Sequence, residues 1–228
     1  MKYYAVKYSL NPKIVGTQYP QVWDFVKGYK PEVKDNGLFS LYNMYNDGFP
    51  LSDPNLSGLK LSNGSKFTDF MSGGFGDYLF ILSEKSKTLL EKMKLEEHRF
   101  YSAKIVSLRK KLEKDYYIMK IKSTNIKFVD FKRSTFLRQG RYDGKQKGQV
   151  EIDSIQDYQI KDKIVAQESN WKDGILSTSI KMLPSFYTLE LDLFKIGEID
   201  YQWYVSSSLY HLISEMNLTG LEFSECDL

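Results

Sequence analysis

Five Asn-Gly or Asp-Gly pairs punctuate the chain: Asn36-Gly37, Asp47-Gly48, Asn63-Gly64, Asp143-Gly144 and Asp173-Gly174. Such pairs accept the positive φ of tight turns, so short elements are expected between them rather than long helices. The segments between are short and apolar, and none approaches the ~18 residues of a membrane span. The expected class is α+β, built mostly of short antiparallel strands. With 228 residues, 42% of them hydrophobic, the chain can bury a core without disulfides or metals. A 15% aromatic share argues against disorder. Cys226 is the one cysteine and cannot form an internal disulfide, which fits a reducing, cytoplasmic compartment. The start, MKYYAVKYSL, lacks the apolar stretch of a secretory leader.

Residues 1–65 read as a loop-rich N-terminal segment packed on or beside a main domain of residues 66–228. Five of the six prolines fall in residues 11–65. Tyr3 to Leu10 is the first strand, with Tyr4, Val6, Tyr8 and Leu10 on one face. Short elements are expected around Val22–Val26 and Leu38–Tyr45.

Two similar strand–helix–strand units stand out, at about 78–106 and 201–223. In the first, Tyr78 to Leu82 is a strand, Ser83 caps a helix, and Ser86, Leu89, Leu90 and Met93 share a face. Leu95 closes that helix, and Phe100 to Val106 is the next strand. In the second, Trp203 to Val205 is the strand, Ser206 the cap, and Leu209, Leu212, Ile213 and Met216 the apolar face. Gly220 is the expected helix stop, and Leu221 to Phe223 the last strand. A shift of 123 residues places Ser83, Leu89, Met93, Leu95 and Phe100 on Ser206, Leu212, Met216, Leu218 and Phe223.

Between the units, Tyr116 to Lys122 alternates, with Tyr117, Met119 and Ile121 inward and Lys120 and Lys122 outward. Ile126–Phe131 and Phe186–Phe194 also read as strands. Arg138–Gln149, rich in glycine and basic residues, reads as an exposed hairpin tip or loop.

No residue pattern specifies catalysis, a cofactor or a metal, and the chain is not expected to be an enzyme. His98 and His211 lack a second ligand at metal spacing. Cys226 lies among acids that would raise its pKa. The cluster Gly73-Gly74-Phe75-Gly76 precedes a strand, whereas a phosphate cradle follows one. Ser107 and Lys110 match a Ser-x-x-Lys spacing without its companion motifs.

Charge is unevenly spread. Residues 81–147 carry 19 Lys and Arg against 8 Asp and Glu, and residues 187–228 carry 8 acids against Lys195. The basic stretch is the basis for an alternative reading as a nucleic-acid or anionic-ligand module. The acidic end is a candidate partner face, with Glu222, Glu225 and Asp227 as its binding residues.

The order of several motifs carries a resemblance. They are Phe67-Thr68-Asp69-Phe70, then Tyr78 to Glu84 with its helix, then Phe100 to Lys104. Tyr116 to Ile121 follows, then Phe128 to Ser134, and last Asn217-Leu218-Thr219-Gly220-Leu221-Glu222-Phe223. Over about residues 65–228 the chain resembles the bacterial immunity proteins of polymorphic toxin systems, a group first known only as a domain of unknown function. The resemblance implies a cytoplasmic protein, encoded beside a toxin gene, that binds the cognate toxin domain and blocks it. It carries over no catalytic residues, and it implies structural roles for Asp69 and Asp130, in a turn or a buried hydrogen bond.

Overall fold

A computed structural model describes residues 2–32, 37–41, 48–50, 52–74, 79–123, 125–197 and 199–228. The first part of the chain forms β1 (Tyr3–Tyr8), α1 (Pro12–Val15), β2 (Val22–Phe25), β3 (Leu59–Leu61), β4 (Phe70–Met71), β5 (Leu79–Leu82), α2 (Glu84–Leu90) and β6 (His98–Ser107). The second part forms β7 (Leu112–Ile121), a 3-10 turn (Asn125–Phe128), β8 (Thr135–Gly140), β9 (Gln146–Val150), α3 (Ile155–Glu168) and β10 (Asp173–Ser179). It ends with α4 (Pro184–Tyr187), β11 (Leu193–Gly197), β12 (Asp200–Ser206), α5 (Ser207–Glu215) and β13 (Leu221–Cys226). The class is α+β with mostly antiparallel strands. Among the described residues, no helix is long and apolar enough to cross a membrane.

The strands make three sheets, ordered β11-β12-β1-β13, β2-β3-β6-β7-β5-β4 and β10-β8-β9. The central strands are covered on both faces. In β1, Tyr3 and Ala5 join a core with Phe186, Phe194 and Tyr204, while Val6 turns to a second core with Phe80, Met119 and Trp203. In β7, Met119 faces that second core and Ile118 a third, with Leu59, Leu79 and Ile105. The two larger sheets therefore lie face to face across the second core, with α2 and α5 at its margin.

Both helices start alike. The Ser83 side chain accepts from Ser86 N–H, and that of Ser206 from Leu209 N–H. Each capping serine is held by an aspartate. Ser83 Oγ donates to Asp69 at 2.9 Å, and Ser206 Oγ donates to Asp192 at 2.6 Å. The other carboxylate oxygen crosses to the opposite unit: Asp69 accepts from Thr219 N–H and Asp192 from Lys94 N–H, both at 2.9 Å. One carboxylate thus satisfies a helix start and fixes its position against the other unit.

The likeness extends beyond these two units. Phe70 pairs with Leu82 and Leu193 with Val205; Phe80 pairs with Met119 and Trp203 with Val6; Phe100 pairs with Met119 and Phe223 with Val6. The loops agree as well. Thr17 N–H donates to Gly64 O and Lys66 N–H to Val15 O, matched by Asp130 N–H to Lys181 O and Leu183 N–H to Phe128 O. Strand β1 corresponds to β7, β2 to β8, β3 to β10, β4 to β11, β5 to β12, α2 to α5 and β6 to β13. The two halves therefore repeat one arrangement of these elements, to which the second adds β9 and α3. Their first strands are exchanged: β1 lies between β12 and β13, and β7 between β5 and β6. The equivalent rings of Phe80 and Trp203 touch edge to face at 4.3 Å, which places them on the pseudo-twofold axis.

Several expectations are corrected. Lys120 points inward, 7% exposed, and donates to Gly48 O at 2.7 Å, because β7 is covered on both faces from Tyr116 on. Ile126–Phe131 is not a strand: Asn125–Phe128 is a 3-10 turn, and Val129 makes a single bridge to Met182. Phe186–Phe194 is not one either, since Pro184 opens α4 and the strand begins at Leu193. Helix α2 ends at Leu90, before Leu95, which bridges to Leu193. The left-handed residue after α5 is Asn217, with φ 51°. Gly220 serves a close approach instead: a Cβ there would meet Phe70 O at 1.9 Å. Residues 1–65 supply strands to both larger sheets. Expectations at Asn36, Tyr42–Tyr45, Asp47, Phe75, Gly76 and Tyr78 lie outside the described residues.

Candidate partner-binding edge

Strand β13 alternates around its backbone. Leu221 and Phe223 turn to the core between the large sheets, and Cys226 to the opposite core. By the same alternation Glu222 and Glu225 lie on opposite faces of the strand. Glu222 accepts from Ser9 Oγ at 2.7 Å, Glu225 pairs with Lys2 Nζ at 2.6 Å, and Asp227 pairs with Lys181. The Lys181 ammonium beside Asp227 holds its carboxyl below the ordinary range. The hydrogen bond to Glu225 raises the pKa of Lys2. The three acids thus lie along one strand and its end, yet each has a local partner, and they do not form one uniformly negative face.

The backbone of β13 is more distinctive than its charges. Ser9 N–H donates to Gly220 O at 2.9 Å. Residues 222, 224 and 226 therefore turn their backbone groups to β1, and residues 221, 223 and 225 turn theirs away from it. Among the described residues β13 pairs with β1 alone. Its longer counterpart β6 is paired on the same side at residues 104–106, beyond the stretch that matches Leu221–Cys226. Lys104 N–H donates to Leu56 O at 3.0 Å, and β3 runs parallel to β6 at Leu59↔Ile105 and Lys60↔Val106. The covering segment in that half is the connection between β2 and β3. In the other half the matching connection forms β9 and α3, which pack against β8 and β10 instead.

A cleft of about 560 Å3 opens beside the start of β13, and Leu221 belongs to both. Tyr8, Tyr19, Phe80 and Trp203 give it aromatic walls, and Lys7, Asp200 and Gln202 its polar ones. Asp200 accepts from the Tyr204 hydroxyl and from Gln202 N–H, so its carboxylate is already engaged. Burial is the main cause that raises the Tyr204 phenol well above its ordinary value. An apolar side chain fits such walls, and an extended backbone fits the adjacent strand edge.

The basic stretch does not form one patch. Lys87 pairs with Glu91, Lys104 with Glu113, and Lys122 with Glu97. Arg138 and Lys147 converge on buried Asp173. Arg109, Lys110 and Lys111 stay exposed at the β6–β7 turn, between exposed Leu108 and Leu112.

The lone thiol is half-buried rather than activated. Burial, ahead of the neighbouring acids Asp200 and Asp227, pushes Cys226 up to about 11. His98 holds Nδ1 at 2.8 Å from Glu96 O, and His211 packs against Tyr210. Asp69 makes the cross-unit hydrogen bonds described above. Asp130 accepts Arg133 N–H at 3.2 Å, in a turn.

The sequence reading missed Lys7, Tyr8, Tyr19 and Trp203 as parts of one surface. They converge only because β1 crosses into the second half, and short-range periodicity carries no signal of that. In comparison with known proteins, the chain matches no family model and no curated sequence.

Proposed function

We propose that this chain acts by binding rather than by catalysis, as an immunity protein that occludes a cognate bacterial toxin domain in the cytoplasm. The observation that carries the reading is the outer edge of β13, which has no paired strand among the described residues, bears Glu222 and Glu225 with Asp227 at its end, and adjoins an aromatic cleft. An exposed strand edge is a template for another chain, and acids around it favour a basic partner. The resemblance to immunity proteins supplies the class of partner. Neutralisation requires tight binding, on the order of nanomolar, because a small free fraction of toxin remains harmful.

The test is co-purification with the product of the neighbouring gene, followed by calorimetry. A one-to-one complex near nanomolar Kd is the expected result, and absence of binding removes the reading. Reversing Glu222, Glu225 and Asp227 to lysine then tests the face. Unchanged affinity and unchanged salt dependence would move the interface elsewhere.

A second reading, an anionic-ligand module, is favoured by the exposed tip Arg109-Lys110-Lys111. Its test is the salt dependence of binding to generic RNA or DNA, which is steep if the tip neutralises phosphates.

A further inference from the structure

The six edges of the three sheets are not alike. Strand β4 has only two residues, and the registers that bind β2, β9, β10 and β11 to their neighbours are each broken by a bulge or irregularity. Short or bulged edges resist pairing with another chain. Strand β13 runs six residues in unbroken register with β1, from Tyr3↔Cys226 to Tyr8↔Leu221, and contains neither proline nor lysine. It is the one edge among the described strands without these protections.

From these observations we infer that the outer edge of β13 takes an added strand, a basic and apolar alternating segment of the partner protein. This rests on the reading of the chain as a partner-binding protein and specifies how the partner is held. The backbone groups of Leu221, Phe223 and Glu225 supply the hydrogen bonds. On one face, apolar side chains of the incoming segment extend the row of Leu221 and Phe223 and approach the cleft that Leu221 lines. On the other face a lysine or arginine lies beside Glu222. A second copy of β13 is a poor occupant, because it brings another Glu222 and Glu225 to the same edge.

The test uses the full chain, 15N-labelled, with the peptide acetyl-Lys-Val-Lys-Val-Lys-Val-amide as probe and its Glu-for-Lys version as control. Amide exchange is read residue by residue by NMR. In the free protein, Leu221, Phe223 and Glu225 should exchange much faster than Glu222 and Ser224. Saturating basic peptide should slow those three by about tenfold or more, and the acidic peptide should not. Equal exchange at all five amides of the free protein overturns the inference, as does basic peptide that leaves the three unchanged. Glu225→Pro, which removes one outward N–H, should abolish peptide binding, whereas Glu225→Gln should only weaken it. Equal effects of the two variants also count against strand addition.

The outcome is separable from that of the neutralisation reading. Peptide docking at β13 without any complex with the neighbouring gene product keeps the strand site and removes neutralisation. A nanomolar complex in which Leu221, Phe223 and Glu225 exchange as in the free chain keeps neutralisation and removes the strand site.

Discussion

At the residue scale, a few carboxylates hold the elements together. Asp69 and Asp192 each accept from a helix-capping serine and from a backbone N–H of the opposite unit. Removing either acceptor leaves a donor of the other unit unpaired. Asp69→Ala and Asp192→Ala should each lower stability by about 1–3 kcal/mol in urea unfolding. An effect below about 0.5 kcal/mol would mean that the paired geometry is incidental. Asp173 plays another part. Its buried carboxylate accepts from Lys147 Nζ at 2.6 Å and Arg138 Nε at 2.9 Å, and these bonds, the Lys147 bond foremost, lower its pKa. A depressed folded pKa gives stability that is fully present above the unfolded value, near pH ~4, and lost as pH falls through the folded one. Stability should therefore drop below about pH 4 in the wild type. Asp173→Asn should be less stable at neutral pH and flatter through that acid range. An identical acid profile for the variant would sink the assignment.

At the element scale, the two strand–helix–strand units were legible because Ser83 and Ser206 stand at cap positions before Leu-rich helical spacing. Their repetition was legible at a shift of 123 residues. The wider duplication was not. The matching Tyr3-Tyr4 and Tyr116-Tyr117, with Lys7 and Lys120, recur at a shift of 113 instead. Insertions of different lengths separate the two registers. Helix α3 escaped notice because its apolar residues do not form one stripe: Ile160 and Ile164 are exposed while Val165 and Ala166 are buried. Lys120 was misplaced because alternation assumes one wet face, and the second half of β7, from Tyr116 on, has none. The three acids were chosen on charge alone, and their partners Ser9, Lys2 and Lys181 are distant in sequence. Gly220 shows how such long-range contacts constrain a single turn. Its φ of 106° and the nearby Phe70 carbonyl exclude a side chain. Gly220→Ala should cost about 1–3 kcal/mol. Thermal unfolding would show this as a fall of about 2–4 °C per kcal/mol. An unchanged Tm would show that the α5–β13 turn can shift to accommodate a Cβ.

At the scale of the whole molecule, strand exchange decides how the chain unfolds. Two copies that each kept their own first strand could open independently, and a denaturant curve could then show two steps. Here β1 completes the sheet of the second half and β7 that of the first, so neither sheet survives loss of the other half. The halves also share one core, with Phe80 and Trp203 in contact on the axis. Unfolding should accordingly be a single transition. Far-ultraviolet circular dichroism and tryptophan fluorescence should give the same midpoint, and the slowest amides of β1 and β7 should report the same opening free energy. Phe80→Ala should destabilise by about 3–5 kcal/mol and shift both probes together. The double variant with Trp203→Ala should lose less than the sum of the two single effects, because the rings are each other's neighbours. Separate midpoints, or a variant that lowers protection in β7 but not in β1, would mean that the halves are coupled only by the chain. Coincident loss would show that the exchange has made one folding unit of the two halves.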